Sequence, residues 1–532
     1  MDSKKTKKTK KTKKKNKSNS IINSSGLSSL SIDTKELFKK IKKKMTNKKQ
    51  EKQKDKNKIS FNNDYKIPKI LNKNDYKLKL KQTNHNRVKQ SKVKQSKSNY
   101  ITTLIDKYYD NDKVTKEYMN TAHKHLHIFP KQTRVIVFGD IHGDLEAAID
   151  CFILAGCISK ISIPKDKSVT QMNLFFKHLR WTGKDTYVVQ LGDQIDRVRP
   201  QKWDHNDITR DNAYKDEGST LEILYLFYYL NELAKEQGGR VFSIIGNHEI
   251  MNIEADFRYV SLKEFKSFKQ HLTKTYDRTS KFPYHSKTLK NNSYKLSNSI
   301  KKNNTYNTNE PSDTFTKVPE GFRERLYAFS PTGLCSNLIG SNNYVLLQIG
   351  NWLFCHGSPV LNTIKKYHTD LINNIVSMYL LGIDTEDKYI EKHYNNIANS
   401  KHNESILWNR DFGELEINSI KDKELSHQLD TILNEYNKKN NLLDTNTNTN
   451  STPTPIATYT NSTPIATHIA IGHTTQFSSN KGINSICNNR VWRCDVGMSR
   501  AFGHRTNEPY RQPQVLEILN NDNGDEKIKI LI

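Results

Sequence analysis

Arg134-Val135-Ile136-Val137-Phe138-Gly139-Asp140-Ile141-His142-Gly143-Asp144 is the stretch on which the fold turns. A short apolar run rich in β-branched residues stops at a glycine, and Asp140, His142 and Asp144 follow at once. Four to five residues of that character read as a buried strand. Gly139 allows a sharp turn, so the next side chain can face a crevice beyond the carboxyl end of the strand. Helical spacing over Leu145–Ala155 comes next.

The same order of residues recurs downstream. Tyr187–Leu191 runs into Gly192-Asp193-Gln194-Ile195-Asp196-Arg197, and Arg240–Ile245 runs into Gly246-Asn247-His248-Glu249. Between them Ser219 and Glu222 have the spacing of a capping box. They open an expected helix with Leu221, Leu224, Phe227, Leu230 and Leu233 on its apolar face, closed by Gly238-Gly239. Further strands are expected at Tyr344–Gln348, Trp352–Cys355, Ile469–Gly472, Val491–Asp495 and Val515–Leu519. Two of these end in Cys355-His356-Gly357 and Gly472-His473-Thr474. Strand–loop–helix alternation implies an α/β fold with a sheet at its centre. The short loops between the last strands imply that part of the sheet is antiparallel.

Charge separates the chain into two parts. Of 85 Lys and Arg against 56 Asp and Glu, residues 1–100 hold 33 and 7, so the rest of the 532 residues is close to neutral. This Lys-, Ser- and Asn-rich segment buries too little to offset its ordering entropy and reads as a disordered basic tail, with one short helix expected near Ile32–Met45. Its lysine runs would attract a polyanion, or act as a nuclear address; a solvated tail with no specific partner is the alternative. No secretory leader and no transmembrane segment is expected, which points to a soluble intracellular chain, with a nuclear location open. The six cysteines carry no CxxC pair and are expected as reduced thiols. Polar stretches at 265–318 and 438–466 read as mobile surface insertions in a catalytic domain spanning 130–520. His123, His125 and His127 read as part of an exposed segment before that domain.

Polar groups at five strand ends need a reason, because a buried strand has no use for them. Asp, His and Asn are ligands for divalent metals such as Mn, Fe and Zn. The ordered set GDIHGD, GDQIDR, GNHE, HG and GHT resembles the phosphoprotein-phosphatase branch of the metallophosphoesterases. Within it GNHEIMN, LWNRDF (Leu407–Phe412) and VWRCDVGMS (Val491–Ser499) are most similar to the Shewanella-like phosphatases.

That resemblance implies a calcineurin-like central mixed β-sandwich flanked by helices, holding two divalent metal ions. Asp140 and His142 would bind one metal, Asp193 would bridge both, and Asn247, His356 and His473 would complete the second site. A water activated by the metals would attack phosphorus in line. His248 would be the general acid, Asp196 would orient it, and Arg197 and Arg410 would bind the phosphate. The implied substrate is a phosphorylated protein or another phosphoester.

Plainer alternatives stay beside these roles. His356 and His473 could be core histidines, the former because Ser358 stands where the family has a second glycine. Arg410 could be a surface arginine. Val198 replaces the glycine that usually follows GDxxDR. Asp144 and Glu249 read as helix caps, and Asp495 as a structural support. A phosphodiesterase or dinucleoside-polyphosphate hydrolase, and a non-catalytic scaffold tethered by its tail, are the competing readings.

Overall fold

The computed structural model describes residues 99–532 apart from 122–126, 200–214, 278–318, 384–387, 400–403, 415, 446–463, 506–507 and 522–524. The basic tail and its expected helix lie outside the described residues, as do most of both expected insertions.

Two mixed sheets form the centre. One has the order β11-β10-β2-β3-β4 and the other β1-β5-β6-β7-β9-β8. In the first, β2 (Arg134–Phe138), β3 (Tyr187–Gln190) and β4 (Arg240–Ser243) are parallel, with Val135 opposite Tyr187 and Tyr187 opposite Arg240. β10 (Val515–Asn520) runs antiparallel to β2 and to the edge strand β11 (Glu526–Leu531). In the second sheet β6 (Trp352–Cys355), β7 (His468–Ile471) and β9 (Val491–Arg493) are parallel. β5 (Leu346–Ile349) and β8 (Asn484–Ile486) flank them antiparallel, and the two-residue β1 (Ile128–Phe129) pairs with β5.

The near-continuous burial of β2, β5 and β6 explains their apolar runs, since both faces of each strand are covered. Phe129 of the second sheet packs against Phe242 of the first, ring centroids 4.8 Å apart. Trp352 Nε1 donates to Glu526 across the sheets at 2.9 Å. The strand ends that carry the polar residues therefore meet along one rim.

Three expectations change. Ser219 makes no capping hydrogen bond, and Glu222 is buried, accepting from the Tyr100 hydroxyl at 2.6 Å. The helix there, Thr220–Lys235, is buried around its whole first half instead of along one face, because the helix Tyr100–Tyr108 covers its outer side. The stretch from residue 265 does not begin as a surface insertion: Leu262–Asp277 is a helix whose Phe265, Phe268 and Leu272 are buried. Its capping box is Ser261 with Glu264, the serine hydroxyl accepting from Glu264 N at 3.1 Å and the carboxylate from Ser261 N at 2.9 Å. Likewise residues 438–445 continue the helix Ser419–Thr445. Finally, His127 is buried, and its carbonyl accepts from Gln348 N as β1 joins β5; His123 and His125 lie outside the described residues.

The six cysteines are free and buried. Among the described residues no helix is long and apolar enough to cross a membrane.

Candidate metal centre

Packing at the rim leaves no room for side chains at its turns. A Cβ on Gly192, whose φ is +95°, would sit 2.7 Å from Gly246 N and 2.8 Å from His356 Nδ1. One on Gly472 would strike the carboxylate of Asp140. The neighbouring residues cannot relax either: His142, Asp193, Asp196 and His473 all hold positive φ (38°, 51°, 75° and 68°). Left-handed backbone at a non-glycine residue costs of order 1–3 kcal/mol, and its clustering here marks a functional site.

The structure brings Asp140, His142, Asp193, Asn247, His248, His356 and His473 together, all buried. Asp193 Oδ2 is the centre, lying 3.8 Å from His142 Nε2, 3.8 Å from His248 Nε2 and 3.3 Å from His356 Nε2. His142, Asp193 and His248 offer one ligand-atom cluster, and Asp193, His356 and His473 another. Asp140 Oδ2 lies 3.7 Å from His142 Nε2, and its carboxylate accepts from His473 N at 3.2 Å.

The second nitrogen of each ring shows how these groups are prepared. His356 Nδ1 donates to Leu191 O at 2.7 Å, His142 Nδ1 to Ile195 O at 3.3 Å and His473 Nε2 to Trp408 O at 3.2 Å. A ring nitrogen that donates to a carbonyl leaves the other with a lone pair, the usual preparation of a metal ligand. His356 Nε2 then faces Asn247 Oδ1 at 2.9 Å as well as Asp193. With Nδ1 donating to Leu191 O, Nε2 and these oxygens face one another as the ligands of a bound cation would. The residues present fit a two-metal site.

Burial opposes the charged form of His356, yet Asp193 beside it and Leu191 O raise its pKa above the ordinary value. Burial, with Asp495 and Asp193 beside it, raises the Asp140 carboxyl well above its ordinary value. Burial opposes ionisation of Asp193 too, yet His356, His248 and His142 hold it well below. Burial depresses His142 and His473, helped by Arg199 and by His356 respectively. Asp495 is raised to about 6 by burial; its Oδ1 accepts from Gly497 N at 2.9 Å.

Beside this cluster His248 Nδ1 bonds Asp196 Oδ2 at 2.8 Å. The other oxygen of Asp196 accepts from Asn252 Nδ2 at 2.8 Å and from Arg325 Nη2 at 3.2 Å. Arg325 is fully buried among Phe257, Phe265, Phe268 and Phe329, with Nε on Asn252 Oδ1 at 2.8 Å. Glu249 does cap its helix at Gly246 N (2.7 Å), and also accepts from Asp193 N (3.0 Å) and Gln194 N (2.9 Å). Glu264 does the same for the next turn, accepting from Arg197 N at 3.1 Å.

Of the two arginines expected on the phosphate, Arg410 is exposed at the rim, its Nη1 donating to His473 O (3.0 Å) and Thr474 Oγ1 (3.1 Å). Ser358 serves that segment: its hydroxyl accepts from Phe412 N at 2.9 Å. Arg197 stands otherwise. Its guanidinium has no exposure and pairs with Asp144 at 3.1 Å. Asp144 caps the helix Leu145–Leu154 through Ala147 N (3.1 Å) and also pairs with Arg500 at 2.6 Å.

A model of the calcineurin-like phosphoesterases matches residues 133–474. The chain belongs to that family. This family uses a dimetal centre, and the groups around Asp193 are candidates to hold it. The phosphoesterase is 27% identical over 407 residues to Shewanella-like protein phosphatase 2 of Arabidopsis thaliana, covering 74% of this chain and 77% of that one. It is 24% identical to Shewanella-like protein phosphatase 1 of Plasmodium berghei over 74% and 73% of the two chains. Among solved structures, the cold-active protein-tyrosine phosphatase of a psychrophilic Shewanella aligns over 76% of this chain and 82% of its own, with 15% identity and a TM-score of 0.40.

Arg199, Tyr259, Glu264, Arg325 and Phe502 border the site without having been read from the sequence. Only Glu264 carried a local signal, the capping box with Ser261 ahead of Phe265, Phe268 and Leu272 at helical spacing.

Proposed function

We propose that this phosphoesterase hydrolyses phosphomonoesters, and that its substrate is a phosphorylated protein on serine, threonine or tyrosine. The observation that carries the reading is Asp193 Oδ2 facing His142 Nε2 and His356 Nε2 at 3.8 and 3.3 Å, next to a His248–Asp196 pair at 2.8 Å. A metal cluster with a separate, oriented imidazole suits a reaction that needs both an activated water and a protonated leaving group.

Asp140, His142, Asp193, Asn247, His356 and His473 would hold two divalent ions, of which Mn, Fe and Zn all suit the donor set. When bound, these ions supply charge neutralisation for the phosphate and activate a water for in-line attack. His248 delivers a proton from Nε2 to the leaving oxygen, since Nδ1 is held by Asp196. Asp196 fixes the tautomer and the ring plane, and Arg325 with Asn252 fixes Asp196. Arg410 approaches the phosphate from the exposed rim beside His473.

Purified protein supplied with Mn is expected to hydrolyse a generic aryl phosphate, and Asp193→Asn to abolish that turnover. A folded wild type that stays inert with Mn, Fe and Zn ends the hydrolase reading. Phosphopeptides run against diadenosine polyphosphates decide the substrate class, the proposal requiring the phosphopeptides to be preferred.

A further inference from the structure

We propose that Arg199 is the arginine of the Asp193–Arg199 loop that grips the substrate phosphate, in the role expected of Arg197. The inference rests on the phosphomonoesterase reading and adds a residue to it.

The two arginines are two positions apart and their surroundings are opposite. Arg197 is fully buried, ion-paired with Asp144, and held through its backbone by Glu264. Its Nη1 is engaged by Asp144 and the whole guanidinium is without exposure, so a phosphate would have to meet it inside the protein. Arg199 is half-buried and makes no ion pair among the described residues. Its Nη1 donates to the carbonyls of Asp196 (3.2 Å) and Val198 (2.8 Å), which fixes the head group while its other N–H groups have no acceptor among the described residues.

Two aromatic rings complete the placement. The Arg199 guanidinium lies 5.2 Å from the Tyr259 ring centroid and 4.9 Å from that of Phe502. Tyr259 packs against His248 (4.7 Å between centroids), and Phe502 against His142 (5.7 Å). Those two imidazoles are themselves 4.8 Å apart. Arg199 is therefore held by the rings that back the expected general acid and a candidate metal ligand. A planar cation stacked in this way keeps its edge for a planar or tetrahedral oxyanion, the geometry in which arginine donates two parallel bonds. Val198 anchors the loop, its N donating to Tyr259 O at 2.8 Å, so this loop and the Tyr259 ring move together.

The test uses full-length, Mn-loaded protein, with orthophosphate affinity by calorimetry and aryl-phosphate kinetics read in parallel. Arg199→Ala is expected to weaken orthophosphate binding and raise KM by roughly tenfold or more, with metal content unchanged and Arg199→Lys intermediate. Arg197→Lys is expected to lower the Tm, with a smaller effect on phosphate affinity in the folded protein. If Arg199→Ala leaves both affinity and KM within about twofold of a competent wild type, the proposal is overturned. The same follows if folded Arg197→Lys loses more affinity than Arg199→Ala. A wild type that binds phosphate through Arg199 without turning over aryl phosphate would sink the hydrolase reading and leave this assignment standing. A wild type that neither binds nor turns over sinks both.

Discussion

Two buried carboxylates flank the metal centre, each gripped by arginine, and they do different things. Asp196 is shared between Arg325 and His248, the imidazole proposed as general acid. Asp144 is shared between Arg197 and Arg500, and Arg500 continues to Glu146 and Glu217. The second network joins carboxylates to arginines. The same pairing of charges therefore holds the proposed general acid on one side and ties loops together on the other. What a buried ion pair contributes depends on its third member.

Mutation can break this division. Asp196→Asn has the largest expected effect, because it leaves Arg325 with its charge buried and His248 unheld. Turnover should fall roughly 100-fold, and stability by roughly 3 kcal/mol, read by steady-state kinetics and denaturant melts. The kinetic loss should shrink with p-nitrophenyl phosphate, whose leaving group needs little protonation, relative to phenyl phosphate. An equal loss on both substrates would mean that Asp196 does not act through His248.

Asp144→Asn comes next, costing roughly 3 kcal/mol of stability while turnover per folded molecule changes far less than with Asp196→Asn. Should turnover drop as far as in Asp196→Asn, the division between the networks is wrong. Arg325→Lys sharpens the comparison: it keeps the charge but loses the fork, and roughly tenfold in turnover is expected, as for residues that orient a reactive group.

The smallest effect lies at a histidine outside the site. His393 Nδ1 bonds the Tyr367 hydroxyl at 2.7 Å, and burial, with Lys366 and Lys392, depresses its pKa to about 4. The folded state thus binds its proton later than the unfolded chain, whose value is 6.5. Its stabilising contribution is present above pH 6.5 and is lost as pH falls toward 4. After screening it amounts to about 1 kcal/mol. His393→Gln should flatten the melting profile over that window, and an unchanged profile would refute the linkage.

The strand ends were legible because their signal is local: an apolar run, a glycine, then a polar residue. β6 falls at Trp352–Cys355 as expected, and β2, β3 and β10 differ by a residue at one end. The edge strands β1, β8 and β11 were not legible. β11 alternates Glu526, Lys527, Ile528, Lys529 and Ile530, with its charged residues at an exposed edge, and β1 is two residues long. The support of the site was hidden for a different reason. Arg325 follows a Lys- and Asn-rich stretch, and nothing in its neighbours says that four phenylalanine rings will surround it. Lysine content also masked the helix Leu262–Asp277, although Ser261 and Glu264 announced its start. In the loop after Asp193, sequence order favoured Arg197, whereas only packing distinguishes an arginine locked by Asp144 from one stacked between Tyr259 and Phe502.

The Tyr100–Glu222 bond bears on where the gene can be cut. A fragment beginning at residue 130 keeps every strand of the α/β sheet from β2 onward, but strips the cover from the helix Thr220–Lys235. Glu222 would then face a newly opened apolar surface, without the hydroxyl that meets its Oε1. Such a fragment should express as an aggregating protein, whereas one beginning just ahead of Asn99, which caps the helix at Tyr100, should stay in solution.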